Sequence, residues 1–183
     1  MYCDIGFHTD LTLGKSAIQF KHLKKLKFEN PMAVCDQGNL SQLVKSIGLN
    51  KMNIPAVELS VVSTYKELRY PADPARFFAF DLDGYKSICH MIRIAQQNKR
   101  YGLARIELQD LKLDGDIAVI VGEDFQFIED LPFNKVFIAV NKDSDLSSRL
   151  YFKYNPIFYY DSYAIHEKDI PVIALLSTNT FRR

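Results

Sequence analysis

The feature that most constrains this chain is a repeated handover from short apolar runs to helix-like patterns. "CDIGFHT" alternates weakly as a first strand. "PMAVC", "IPAVELSVV", "RFFAF", "DIAVIVG", "KVFIAV" and "PVIALLS" are compact apolar runs of the kind buried strands show. Between them lie segments with helical spacing. "SAIQFKHLKKLKF" carries Ser16 and Gln19 in capping-box spacing and sets Ala17, Phe20, Leu23 and Leu26 on one face, against Lys21, Lys24, Lys25 and Lys27. Asn39 is placed to cap a helix bearing Leu40, Leu43, Val44 and Ile47. The longest pattern, "DGYKSICHMIRIAQQNKRYG", aligns Tyr85, Ile88, Ile92 and Ala95, with Gly102 as its stop. "EDFQFIEDLPF" suits a helical turn, "SRLYFKYNPIFYYD", broken by Pro156, suits extended edge structure or a tight turn, and "DSYAIHEKD" suits a short helix. Strands alternating with helices predict an α/β layout with a largely parallel sheet. In such a layout the carboxyl ends of the strands form the functional rim. Gly6-Phe7-His8, Asp36-Gln37, Glu58 and Ser177-Thr178-Asn179 fall at or near such ends.

Composition narrows what that rim can meet. At 183 residues, 48% of them hydrophobic, the chain suits a single domain, 1–183, with a core of its own. With 23 basic and 22 acidic side chains the formal charge is +1, so contact with a polyanion has to be local. Cys3, Cys35 and Cys89 form no CxxC pair, which favours buried thiols in a reducing compartment. "MYCDIGFHTD" lacks the basic and apolar regions of a signal peptide, and no window of apolar residues is long enough for a membrane span. A cytoplasmic protein without membrane contact is the expectation. There is no Ser-His-Asp order, Walker-type glycine loop, zinc spacing or dinucleotide fingerprint. "DLDG", from Asp81 to Gly84, has the form of a phosphatase Asp-x-Asp motif but lacks the supporting lysine and acids, so it reads as a helix cap. His22, His90 and His166 fall on polar helix faces, and the lysines from Lys21 to Lys27 read as a solvated face rather than a phosphate contact. The aromatics between Tyr151 and Tyr160 read as cover for a partner domain rather than a base-stacking platform.

Taken in order, "GFHTDLTLGKSAI", "VCDQGNL", "PAVELSV", "RFFAFDLDGYKSICHMI" and "LLSTNTF" resemble the motifs of the polymerase and histidinol phosphatase (PHP) domain at the N-terminus of the bacterial DNA polymerase III α subunit. The resemblance covers most of the chain and is weakest from Glu123 to Asp161. It implies an α/β fold of the distorted (β/α)7 PHP-type barrel class, abbreviated here. Active members of that family hold two or three metal ions with imidazoles and carboxylates, which bind a phosphate and activate a water.

Carried over residue by residue, the resemblance leaves few ligands. His8 matches the second His of the first motif, Glu58 the ligand Glu, and Asp36 a supporting Asp. Gly6 stands where the first His is expected, Gln37 where a His follows the Asp, Arg76 where a His opens the fourth strand, and Thr180 where the last motif has Asp. One imidazole and one or two carboxylates are too few for a multi-metal cluster. The expectation is therefore a non-catalytic domain with no cofactor, acting in DNA replication as a structural and interaction module of a DNA polymerase III α-type protein. Its partners would be polymerase domains of the same chain, following Arg183, or a proofreading exonuclease subunit, with DNA met indirectly. The parent chain would be a DNA-directed DNA polymerase, a nucleotidyltransferase. One alternative is a small metal-dependent phosphoesterase or exonuclease of the same family, holding Zn, Mn or Mg on His8, Asp36 and Glu58. Another is a stand-alone binding protein derived from such a domain.

Overall fold

The structure, a computed structural model, describes residues 4–9, 11–12, 19–25, 30–49, 52–66, 73–100, 102–111, 114–140 and 153–158. Apolar runs with little polar interruption need partners on both edges and cover on both faces, and here they assemble into one sheet. Its order is β1 (Asp4–Phe7), β2 (Met32–Gln37), β3 (Ala56–Val62), β4 (Asp73–Ala79), β6 (Ile117–Val121), β7 (Lys135–Val140) and β8 (Asn155–Phe158), with β5 (Arg105–Glu107) paired to β3 off that path. The strands β1, β2 and β3 run parallel, as do β3 with β5 and β6 with β7 and β8. β4 is antiparallel to both its neighbours, β3 and β6.

That arrangement overturns the expectation of an abbreviated (β/α)7 barrel. Such a barrel needs all strands parallel, each followed by a helix, whereas the described residues form a mixed sheet. The reason lies in what an apolar run encodes. "RFFAF" specifies burial and extension, but it reads the same whichever way the strand points. The expected strand at "PVIALLS" and helix at "DSYAIHEKD" lie outside the described residues.

Among the described residues three α-helices accompany the sheet: α1 (Phe20–Leu23), α2 (Leu43–Ile47) and α3 (Leu82–Gln97). The longest, α3, follows its sequence pattern. Asp81 caps it, accepting the Gly84 N–H at 2.7 Å, and Ile88, Met91 and Ala95 are fully buried against Val57, Leu59, Phe77 and Val119 of the sheet. Tyr85 and Ile92 pack on the edge of the same cluster, and Phe77 meets Phe133 with ring centroids 5.6 Å apart. Its end corrects the expected stop. Asn98 closes the helix with its side chain on the Ile94 carbonyl at 3.0 Å, and Gly102 (φ +83°) instead serves the turn tied by mutual backbone bonds between Arg100 and Leu103.

The helix α2 departs further from expectation. Asn39 does not cap it: Asn39 Oδ1 accepts the Ser41 N–H at 3.1 Å, a local turn of its own. The helix has five residues, little more than one turn, so flanking turns set its orientation rather than its apolar stripe. Ser46 Oγ donates to the Leu43 carbonyl and accepts from Asn53 Nδ2, both at 2.8 Å, which turns Ser46 inward. Gln42 and Ser46 are buried, and Val44 and Ile47 are 81% and 53% exposed. Of the expected stripe, Leu40 packs against the main core.

Along one edge of β3, two strands share the space. Ala56–Glu58 pair with β2 and Ser60–Val62 with β5, while β4 runs along the opposite edge. The splice is at Gly38, whose N–H donates to the Glu58 carbonyl at 2.9 Å, next to Ala104, whose carbonyl accepts the Ser60 N–H at 3.1 Å. Gly38 has φ +68°, and a Cβ there would lie 2.6 Å from Ala104 Cβ. A glycine is required on both counts. Gln96 of α3 seals the junction with its Nε2 on the Gly38 carbonyl at 2.5 Å. No helix among the described residues is long and apolar enough to cross a membrane.

Candidate functional site

The rim expected from sequence is built around two carboxylates on β2 and β3. Asp36, near the end of β2, is 2% exposed, so its charge needs donors from the protein. It has three: the Thr9 N–H at 2.5 Å, Thr9 Oγ1 at 2.6 Å and Thr12 Oγ1 at 2.8 Å. Thr12 Oγ1 in turn accepts the Gln37 N–H at 3.1 Å, so the turn after β1 and the end of β2 are locked together. His8, fully buried, precedes Thr9 in this turn. Asp36 thus works as a structural clamp.

The second carboxylate, Glu58, lies in a row that crosses three strands. Gln37 of β2 is its Cα partner on one side, and Arg76 of β4 on the other. Gln37 Nε2 donates to Glu58 Oε1 at 3.3 Å, and Arg76 Nη2 stands 3.4 Å from Glu58 Oε2. Glu58 is 1% and Arg76 8% exposed, so this is a buried ion pair. Successive residues on a strand face opposite ways. Asp36 is level with Val57 and Gln37 with Glu58, so the register sets Asp36 and Glu58 on opposite faces of the sheet.

This geometry bears on any metal. Arg76 stays protonated at all ordinary pH. Two unit charges about 4 Å apart interact by about 4 kcal/mol at the effective dielectric near a protein surface, and a divalent ion beside a guanidinium doubles that repulsion. The residues around Glu58 therefore do not fit a metal cluster. Among the described residues, no three His, Cys, Asp or Glu side chains come together as a metal site. Of the positions singled out in sequence, Gly6 lies within β1, while Thr180 is outside the described residues.

Several buried polar residues had no signal of their own. Arg105 and Glu107 of β5 are 5% and 7% exposed. The Glu107 carboxylate accepts the Tyr65 N–H and, at 2.5 Å, Gln109 Nε2. Tyr65 donates its hydroxyl to Asp110 Oδ2 at 2.7 Å, and burial together with that acceptor pushes the phenol up to about 12. The Thr-x-x-Thr spacing of Thr9 and Thr12 after the first strand was the one readable hint of the Asp36 clamp. Elsewhere, Asp81 acts as a cap, as the absence of supporting groups around "DLDG" suggested, and its carboxyl is held below the usual range by the N–H groups of Gly84 and Asp116. His90 is half-buried, with Arg93 Nη2 3.4 Å from its Nδ1. Lys21, Lys24 and Lys25 are exposed, as a solvated face requires, whereas His22's side chain, Lys27 and His166 lie outside the described residues. Cys35 is buried but Cys89 is exposed on α3, which corrects the expectation of uniformly buried thiols. Cys3 is outside the described residues.

No family model and no curated protein matches the chain. Among solved structures it is similar to an amidohydrolase from Chromobacterium violaceum with bound sulfate and no metal, at 11% identity and a TM-score of 0.35. That similarity covers 53% of this chain and 34% of the amidohydrolase.

Proposed function

We propose that this chain is a non-catalytic structural and interaction module of a DNA polymerase III α-type protein, PHP-like in its motifs and serving DNA replication. In this reading it contacts the polymerase domains of its own chain or a proofreading exonuclease subunit and meets DNA through them. The observation that supports the reading is the row Gln37–Glu58–Arg76. An amide and a guanidinium engage the carboxylate that would otherwise ligate a metal, and they turn a reactive position into a buried cross-strand tie. Asp36 is spent in the same way on Thr9 and Thr12.

The test is the metal content of the purified protein after incubation with Zn, Mn or Mg, measured together with hydrolysis of phosphomonoesters and of single-stranded DNA. The expected result is less than one ion per chain and no hydrolysis above background. Two or more tightly held ions, with hydrolysis abolished by His8→Ala, would establish the phosphoesterase alternative instead. Arg76→Met probes the tie directly. It leaves Glu58 buried beside an apolar side chain, and unfolding in urea should show a loss of about 3–5 kcal/mol.

A further inference from the structure

The helix α2 is built inside out. Its inward side carries Ser46, flanked by the buried Gln42 at its N-cap position, and Asn53 packs there to bond Ser46. Gln42 Oε1 and Asn53 Oδ1 are buried and find no hydrogen-bond donor among the described residues. Its outward side presents Val44 and Ile47, one turn apart, with Met52 exposed in the turn that follows. A helix that turns a serine inward beside buried amides and shows aliphatics to water runs against the usual economy of folding. Such a face makes sense when something else covers it.

The surroundings indicate what that is. Lys45 of α2 and Lys24 beside α1 both stand over the Phe20 ring, their Nζ atoms 5.8 and 5.9 Å from its centroid, so α1 and α2 are neighbours. Across residues 19–25, 39–49 and 52–54 there are four lysines, Lys21, Lys24, Lys25 and Lys45, and no Asp or Glu. This concentration of positive charge belongs to a chain whose overall formal charge is +1.

We infer that the outward face of α2 is a docking site for an acidic amphipathic segment of a partner protein, its aliphatic side chains seated on Val44 and Ile47 and its carboxylates against Lys24 and Lys45. This rests on the reading of the chain as an interaction module and names the surface such a module would use. A membrane suits the site poorly, because interfacial helices bury a long apolar face and α2 has a single turn. Nucleic acid suits it poorly too, because the centre of the patch is aliphatic and offers no ring for a base to stack on. A short anchor segment in the helix-in-groove manner matches both its size and its charge.

The test uses a fluorescein-labelled synthetic helix with Leu at every third or fourth position and Glu elsewhere, titrated with the full chain and followed by anisotropy. Saturable binding is expected. Val44→Asp with Ile47→Asp should weaken it by about tenfold or more. Lys24→Gln with Lys45→Gln should weaken it by about two- to fivefold and flatten its salt dependence. All these positions are exposed, so circular dichroism and Tm should match the parent, and Val44→Ser with Ile47→Ser provides a gentler pair if the aspartates disturb folding. No binding, binding indifferent to the Val44 and Ile47 changes, or tighter binding of phosphatidylserine vesicles or a DNA oligonucleotide through the same residues would overturn the assignment. Those outcomes would leave an inert, metal-free module whose surface lies elsewhere. Bound ions with hydrolysis would instead remove the module reading itself.

Discussion

The helices α2 and α3 differ in almost every respect that decides how a helix is held. α3 has sixteen residues, a carboxylate cap at Asp81 and an apolar face locked into the sheet. α2 has five, no side-chain cap at Gln42, and its polar side turned inward. The first is stabilised by burial, which is additive and local to its own stripe. The second is positioned by a few hydrogen bonds, and its aliphatic residues contribute little to folding. The lesson is that apolar spacing predicts burial only when the helix is long enough for its stripe to outweigh the turns at its ends.

That contrast can be broken at its two centres. Ile88→Ala should cost about 2–5 kcal/mol, because Ile88 is fully buried and its neighbours can close the cavity only in part. Ile47→Ala should fall within about 0.5 kcal/mol of the parent, as surface changes do. Equal losses in urea unfolding would break the distinction. Gln42→Leu sharpens it on the other side: it replaces a buried acceptor that lacks a donor among the described residues, and it should raise stability by about 1 kcal/mol. A loss would mean that the inward amide is needed.

A further contrast concerns the caps. Asp81→Ala should lower Tm by a few degrees at neutral pH, whereas Gln42→Leu removes no cap bond. The pH dependence follows from the depressed Asp81 carboxyl. A group whose folded pKa lies below its unfolded value stabilises the protein above that unfolded value, about 3.9 for Asp, and loses the contribution as pH falls through the folded one. The Tm curves of parent and variant should therefore converge on acidification below about pH 4. A gap that persists there would assign the loss to packing around Gly84 and Gly115, the latter so close that a Cβ on it would lie 2.5 Å from Asp81 Oδ1, rather than to charge.

What could be read from the residues follows the same division. The strands β2, β3, β4, β6 and β7 and the helix α3 were legible because each is a sustained pattern, whereas β5, three residues long, was not expected, and the 3-10 turn Ile128–Asp130 fell within the segment expected to hold one. Pro156 was legible as an edge signal, and β8 pairs with β7 at the end of the described path. Strand direction was not legible, since an apolar run carries no arrow, and that is why the barrel expectation failed at β4. At the candidate site, strand ends pointed to His8, Asp36, Gln37 and Glu58, and Arg76 entered only through the family resemblance. Their connections were not legible, because a single sequence does not reveal that Asp36 answers to Thr9, 27 positions away, or that Gln96 reaches Gly38 across 58. The register that separates Asp36 from Glu58 depends on a pairing between strands, which spacing within one strand cannot supply.

The divided edge of β3 governs how the sheet opens. With β2 and β5 end to end along one margin and β4 along the other, the strand has no side from which to peel. Its amide protons trade with solvent water only when the whole sheet comes apart, while those of α2 can do so through a local opening that leaves the sheet intact. Among the described residues the centre of the sheet thus serves as a slow clock, and the proposed docking face rides on a faster one.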